Sequence, residues 1–183
     1  VLNKNINLFQ NNADLMQIAF VVPDVRKAIL HWNSIGVGPF LLLPHLELEQ
    51  VIYQGHKTNP DISLAIAYQG HMQIELIQQH NSADSIYSDF LKFCPEGGMQ
   101  HSAIVSNQYG KLLCELKDND IDIVQSIKTI DGSNACYISS HFHPGGMIEI
   151  IENTKPMALL FEDLKKAAKS WQIGDDNLNF EVA

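Results

Sequence analysis

The feature that most constrains this chain is an internal repeat. Met16-Gln17-Ile18-Ala19-Phe20-Val21-Val22 aligns with Gln100-His101-Ser102-Ala103-Ile104-Val105-Ser106. Each copy reads as a buried strand and leads into an amphipathic helix. The helix faces are Val25, Ala28, Ile29 and Trp32 in the first copy, and Tyr109, Leu112, Leu113 and Leu116 in the second, with apolar residues one helical turn apart. Each unit closes on a similar strand, Gln73-Ile74-Glu75-Leu76-Ile77 and Met147-Ile148-Glu149-Ile150-Ile151, and both follow glycine. Two copies of one unit pack about a pseudo-twofold axis, which brings matching positions together.

Punctuation residues fill in the rest. Pro23 ends the first strand, Asp24 is placed to cap the helix and Gly36 to terminate it. Strands are predicted at 39–43, 46–53, 63–68 and 71–78, with Gln69-Gly70 as a tight hairpin and 55–60 as polar turn material. A short helix is expected at 85–93. The pattern then restarts: a strand at 99–106, a helix capped by Asn107, strands at 121–130, 135–141 and 147–152, and a closing helix at 157–171. The expected fold class is α+β. Two βαβββ modules (14–80 and 99–153) are joined by a connector (81–98) and followed by a helical extension (154–183).

Charge narrows the function. The 183 residues carry 12 Lys and Arg against 21 Asp and Glu, a net charge of −9, with the basic residues scattered. A nucleic-acid binder needs a clustered basic footprint, and an anionic membrane repels such a surface, so neither partner is expected. No apolar run reaches the length of a membrane span, and the first twelve residues do not read as a signal peptide. Cys94, Cys114 and Cys136 are far apart and odd in number, which reads as free thiols in a reducing, cytoplasmic setting.

Gln17, Glu75, His101 and Glu149 each interrupt an apolar strand, and they fall in two pairs of equivalent repeat positions. A carboxylate facing a core costs several kcal/mol unless it is paired or binds a metal. Singly, such residues read as wet-face or hydrogen-bonded positions. Jointly they offer two carboxylates, an imidazole and an amide oxygen, a ligand set for a divalent ion such as Zn, Ni, Co, Mn or Fe.

These stretches resemble the vicinal oxygen chelate superfamily, which includes glyoxalase I, methylmalonyl-CoA epimerase, extradiol dioxygenases and bleomycin-resistance proteins. The resemblance runs over about 14–153. It is carried by the 17–25 segment, Gly36-Val37-Gly38-Pro39-Phe40, Ile74-Glu75-Leu76-Ile77-Gln78, Gly98-Met99-Gln100-His101 and Gly145-Gly146-Met147-Ile148-Glu149-Ile150-Ile151-Glu152. It implies paired modules curled into an open, barrel-like sheet around a metal cleft, with ligands at Gln17, Glu75, His101 and Glu149, the type of set that glyoxalase I enzymes use. The epimerases typically place His first and Gln second, and extradiol dioxygenases need two His and one carboxylate, so this chain departs from both. The implied activity is that of a metal-dependent lyase or isomerase acting on a small organic substrate. The metal chelates neighbouring oxygens, and Glu149, or next Glu75, removes a proton beside the carbonyl. The alternative is a non-catalytic binding protein of the bleomycin-resistance type. Pairing of modules across chains, as in a homodimer, is also implied.

The lining expected in alternation with the ligands is Leu15, Ala19, Val21, Ile77, Met99, Ala103, Val105 and Ile151. Arg is scarce, which disfavours glutathione and CoA thioesters. His141 and His143 read as turn residues, and Tyr137 or His141 as a donor reaching the cleft. Gly36 and Gly38 follow a helix and so are not a nucleotide fingerprint. His31, His45, His56, His71 and His80 read as surface residues.

Overall fold

The computed structural model describes residues 14–139 and 146–177. The first half contains β1 (Leu15–Val21), α1 (Val25–Ser34), β2 (Leu41–Leu43), β3 (Leu48–Tyr53), β4 (His56–Thr58), β5 (Ile62–Gln69) and β6 (Met72–Gln79). The connector carries α2 (Ile86–Phe93). The second half contains β7 (Gly98–Ser106), α3 (Tyr109–Asp118), β8 (Ile123–Thr129), β9 (Asn134–Ser139) and β10 (Met147–Glu152), followed by α4 (Lys155–Ser170). His141, His143 and Gly145 lie outside the described residues.

The ten strands among the described residues form one mixed sheet, in the order β2-β5-β6-β1-β7-β10-β9-β8-β3-β4, curled into an open half-barrel. The repeat is visible at its centre, where β1 and β7 run antiparallel, each flanked by the parallel closing strand of its own unit, β6 or β10. One element breaks the symmetry. Leu48–Tyr53 does not join the strands of its own half; it pairs with β8 of the second half. The stretch read as polar turn includes a strand, β4, which turns back on β3 through Gln54-Gly55. Gln54 and Gly55 both take positive φ, the conformation such a tight turn demands.

The helices split between the two faces. α1 and α3 pack on the convex side, over Ile74 and Leu76 in one half and Ile104 and Ile150 in the other. Asp24 caps α1 by accepting from the Lys27 backbone N–H at 3.0 Å, as its position predicts. The expected Asn107 cap does not form: Gln108 occupies the N-cap position, and its side chain does not cap the helix. On the concave side α2 covers Val21, Ile77 and Tyr137, and α4 covers Leu41, Ile66 and Tyr68. The concave face is therefore roofed from both ends, with its middle rows between the two helices. No helix among the described residues is long and apolar enough to cross a membrane.

Candidate metal centre

Strand register puts the four predicted residues on one face. Glu75, Ala19, His101 and Met147 form a row across β6, β1, β7 and β10. Gln73, Gln17, Ala103 and Glu149 form the adjacent row on the same face, two residues along each strand. Gln17 stands opposite Ala103 and His101 opposite Ala19, so the two are related by the pseudo-twofold axis. Both alanines are fully buried, and their small size leaves room for the four long side chains to converge.

Each of the two first strands carries an irregularity just before its polar residue. Between Ala19 and Phe20 the register on β7 skips Gln100, and between Leu15 and Gln17 the register on β7 advances by one residue only, which leaves Met16 extra. These bulges overturn two expected lining positions. Met99 pairs with Phe20, and Leu15 with Ile104, so both leave the concave face; they are 55% and 48% exposed. Strict alternation from the sequence cannot foresee a bulge that resets parity.

Glu75, His101 and Glu149 meet in the interior, exposed by 6%, 1% and 5%. The His101 Nε2 atom is 3.3 Å from Glu75 Oε2 and 3.2 Å from Glu149 Oε2. Those are ion-pair distances, yet none of the three atoms has a hydrogen bond of acceptable angle among the described residues. Both polar atoms of the fully buried Gln17 side chain are likewise without a partner there, although the amide lies close enough to Glu75 to favour its charged form. An unmade bond at a buried polar atom costs roughly 1–3 kcal/mol. The Glu75, His101 and Glu149 ligand atoms lie within 4.8 Å of one another and could hold a metal ion, and oxygen and imidazole donors suit a divalent transition ion.

The electrostatics agree. Burial pushes the Glu75 carboxyl above its usual range, His101 draws it back in part, and the charge of Glu149 raises it further. Burial alone would depress the His101 imidazole, but Glu149 and Glu75 outweigh it and raise the group to about 9. Ionised together, two buried carboxylates are balanced only by a positive charge between them.

Three surrounding residues extend the centre. The His101 Nδ1–H donates to the Gln100 side-chain oxygen, and Gln100 Nε2 in turn lies 3.2 Å from Met147 Sδ. That bond fixes the imidazole so that Nε2, not Nδ1, faces the carboxylates. The bulge lets two consecutive residues, Gln100 and His101, both be buried. Gln100 is the residue the sequence reading passes over; its signal is a second buried-strand polar residue beside the histidine. Tyr137 stands opposite Glu149 on β9, with its ring edge-on to His101 at 5.2 Å. Tyr87, on α2, places its hydroxyl 3.0 Å from that of Tyr137. Burial, then the charge of Glu149, holds both phenols far above their ordinary range, so they stay protonated. Tyr137 is where the sequence reading places a cleft donor; Tyr87 is not foreseen, because its connector has no repeat partner.

The other candidates stay apart from the centre. His31, His45, His56, His71 and His80 are exposed, as expected. His45 is nonetheless partnered, by Asp61 at 2.8 Å and by the stacked ring of His80 at 4.5 Å. All three cysteines are free.

The sequence matches the model of the glyoxalase/bleomycin resistance protein/dioxygenase superfamily over residues 16–137, more than half of the chain. The chain belongs to that superfamily. Solved structures agree on the fold. A hypothetical protein from Bacillus halodurans aligns with a TM-score of 0.57 at 19% identity, over 78% of this chain and 96% of that one. Methylmalonyl-CoA epimerase from Mycobacterium tuberculosis aligns with a TM-score of 0.53 at 19% identity, over 79% and 91%. A further methylmalonyl-CoA epimerase structure gives 0.53 at 15% identity, over 80% and 100%. No curated protein matches.

Proposed function

We propose that this superfamily member is a metal-dependent lyase or isomerase that removes a proton beside a carbonyl of a small organic substrate. The observation that carries the reading is the convergence of buried Glu75, His101 and Glu149 ligand atoms within 4.8 Å of one another, with the fully buried Gln17 amide beside Glu75. Those four residues would hold the ion. A divalent ion bound there supplies Lewis-acid polarisation of a substrate carbonyl. Glu149 is the base and accepts the proton at a carboxylate oxygen, with Glu75 as the second carboxylate of the pair. Gln17 contributes a neutral amide, which keeps the ligand set from becoming more negative. Gln100 orients His101, and the two phenols exclude water from the carboxylates.

The test is elemental analysis of the purified, untagged protein beside a His101→Ala/Glu149→Ala double variant. About one equivalent of Zn, Ni, Co, Mn or Fe, lost in the variant, is the expected result. No metal, even after reloading and desalting, overturns the reading. It then favours a second one, a small-molecule binding protein of the same fold, which the enclosure of the centre beneath α2 supports. Ligand capture without turnover distinguishes that case.

A further inference from the structure

The metal centre is walled by acidic, phenolic and apolar groups around a single imidazole. Facing it are Glu75 and Glu149, the Tyr87 and Tyr137 phenols, His101, and the apolar Val21, Ile77 and Met147. None of the eleven Lys and Arg residues among the described residues is buried. The remaining one, Lys4, lies outside the described residues, and the segment 140–145 contains neither Lys nor Arg. With a divalent ion bound, two ionised carboxylates and a neutral imidazole sum to zero. A substrate carboxylate or phosphate entering this space would be a buried charge with no counter-ion, which costs several kcal/mol.

Size is limited by the same wall. Tyr87 is 1% exposed and Tyr137 2%. Tyr87 is fixed from below by the hydrogen bond to Tyr137 and from behind by the anchoring of α2. Ser85, fully buried, caps that helix by accepting from the Tyr87 and Ser88 N–H groups, and Gln125 Oε1 accepts from the Ile86 N–H at 3.2 Å. Two grooves among the described residues, of about 360 and 540 Å³, lie elsewhere, beside α4 and beside α1, and neither is lined by Glu75, His101 or Glu149.

We infer that the centre selects a small, uncharged vicinal-oxygen compound, such as an α-hydroxyketone or α-ketoaldehyde without an anionic tail, and that Tyr87 sets the size limit. The inference rests on the proposed metal centre. Acyl-CoA and glutathione adducts, which bring several negative charges, are excluded from it by the missing counter-charge.

The test uses the full chain loaded with Co2+, read by the visible absorption of the ion. The probes are acetohydroxamic acid (small, uncharged until it chelates), oxalate (similar in size but anionic) and 2-naphthohydroxamic acid (uncharged but bulky). Acetohydroxamic acid is expected to shift the spectrum with at least tenfold tighter binding than oxalate. The naphthyl probe is expected to bind Tyr87→Ala at least tenfold better than it binds wild type. Oxalate binding as tightly as acetohydroxamic acid overturns the charge selection on wild-type protein alone, whether or not the variant folds. Equal binding of the naphthyl probe to wild type and folded variant overturns the role of Tyr87. If no Co2+ spectrum develops at all, the metal reading itself fails and takes this inference with it, an outcome separable from the other two.

Discussion

The two halves of the sheet share one backbone plan and use it differently. The first half offers Gln17 at its first strand; the second offers His101 at the matching position. Ahead of Gln17 the bulged residue is Met16, which packs toward α4; ahead of His101 it is Gln100, which is buried and bonded to the imidazole. The first half is also the one that lends a hairpin, β3–β4, to its neighbour, and the one whose concave end is covered by α4. The second half supplies the titratable imidazole, its orienting amide and Tyr137. Duplication thus provides a symmetric frame, and the chemistry comes from what breaks the symmetry.

The sharpest way to break this comparison is to remove the second half's ligands. His101→Ala is expected to abolish stoichiometric metal uptake by elemental analysis, whereas Gln17→Ala, which deletes the proposed neutral ligand, is expected to weaken uptake and leave it measurable. Equal loss from both would mean that the halves contribute equally. Next in size, Glu149→Gln should lower turnover of any α-carbonyl substrate about 10²–10⁴-fold, as loss of a general base does. Solvent deuterium exchange at the α-carbon reads this directly, and retained exchange would move the role to Glu75.

Smaller still is the contrast between the two bulged residues. Gln100→Leu is expected to weaken metal binding about 10–100-fold, the usual effect of losing an orienting partner. Met16→Leu should leave it within twofold. An isothermal titration that finds equal affinities would remove Gln100 from the centre.

The smallest effect concerns the roof. Asp89, on α2, is hydrogen-bonded by Lys92 and by the Tyr53 hydroxyl, and its carboxyl is held below the usual range first by Lys92 and then by Tyr53. A depressed carboxyl contributes stability that is present above its unfolded value of 3.8 and is lost as pH falls through its lower folded value. Thermal unfolding of the wild type should therefore weaken more steeply than that of Asp89→Asn as pH drops below about 4. Parallel curves would show that this tether carries no stability.

Much of this molecule was legible in the chain. The repeat, the α+β class, the Asp24 cap and the four buried polar residues all follow from local pattern, because strand periodicity and capping depend on near neighbours in sequence. The family resemblance rested on those same residues. What the sequence left open depends on contacts between distant segments. Nothing in Leu48–Tyr53 says that it will pair with β8 rather than with its own half, because an alternating strand fits any edge of compatible register. The bulges at Met16 and Gln100 turned Leu15 and Met99 to the convex face and buried Gln100 beside His101, a shift in parity that residue types do not announce. Tyr87 entered the centre because the connector folds across the concave face. Sequence determined which residues needed a partner, since buried charge is costly wherever it occurs. Tertiary structure alone decided which partner each received, because convergence across four strands is set by register and packing.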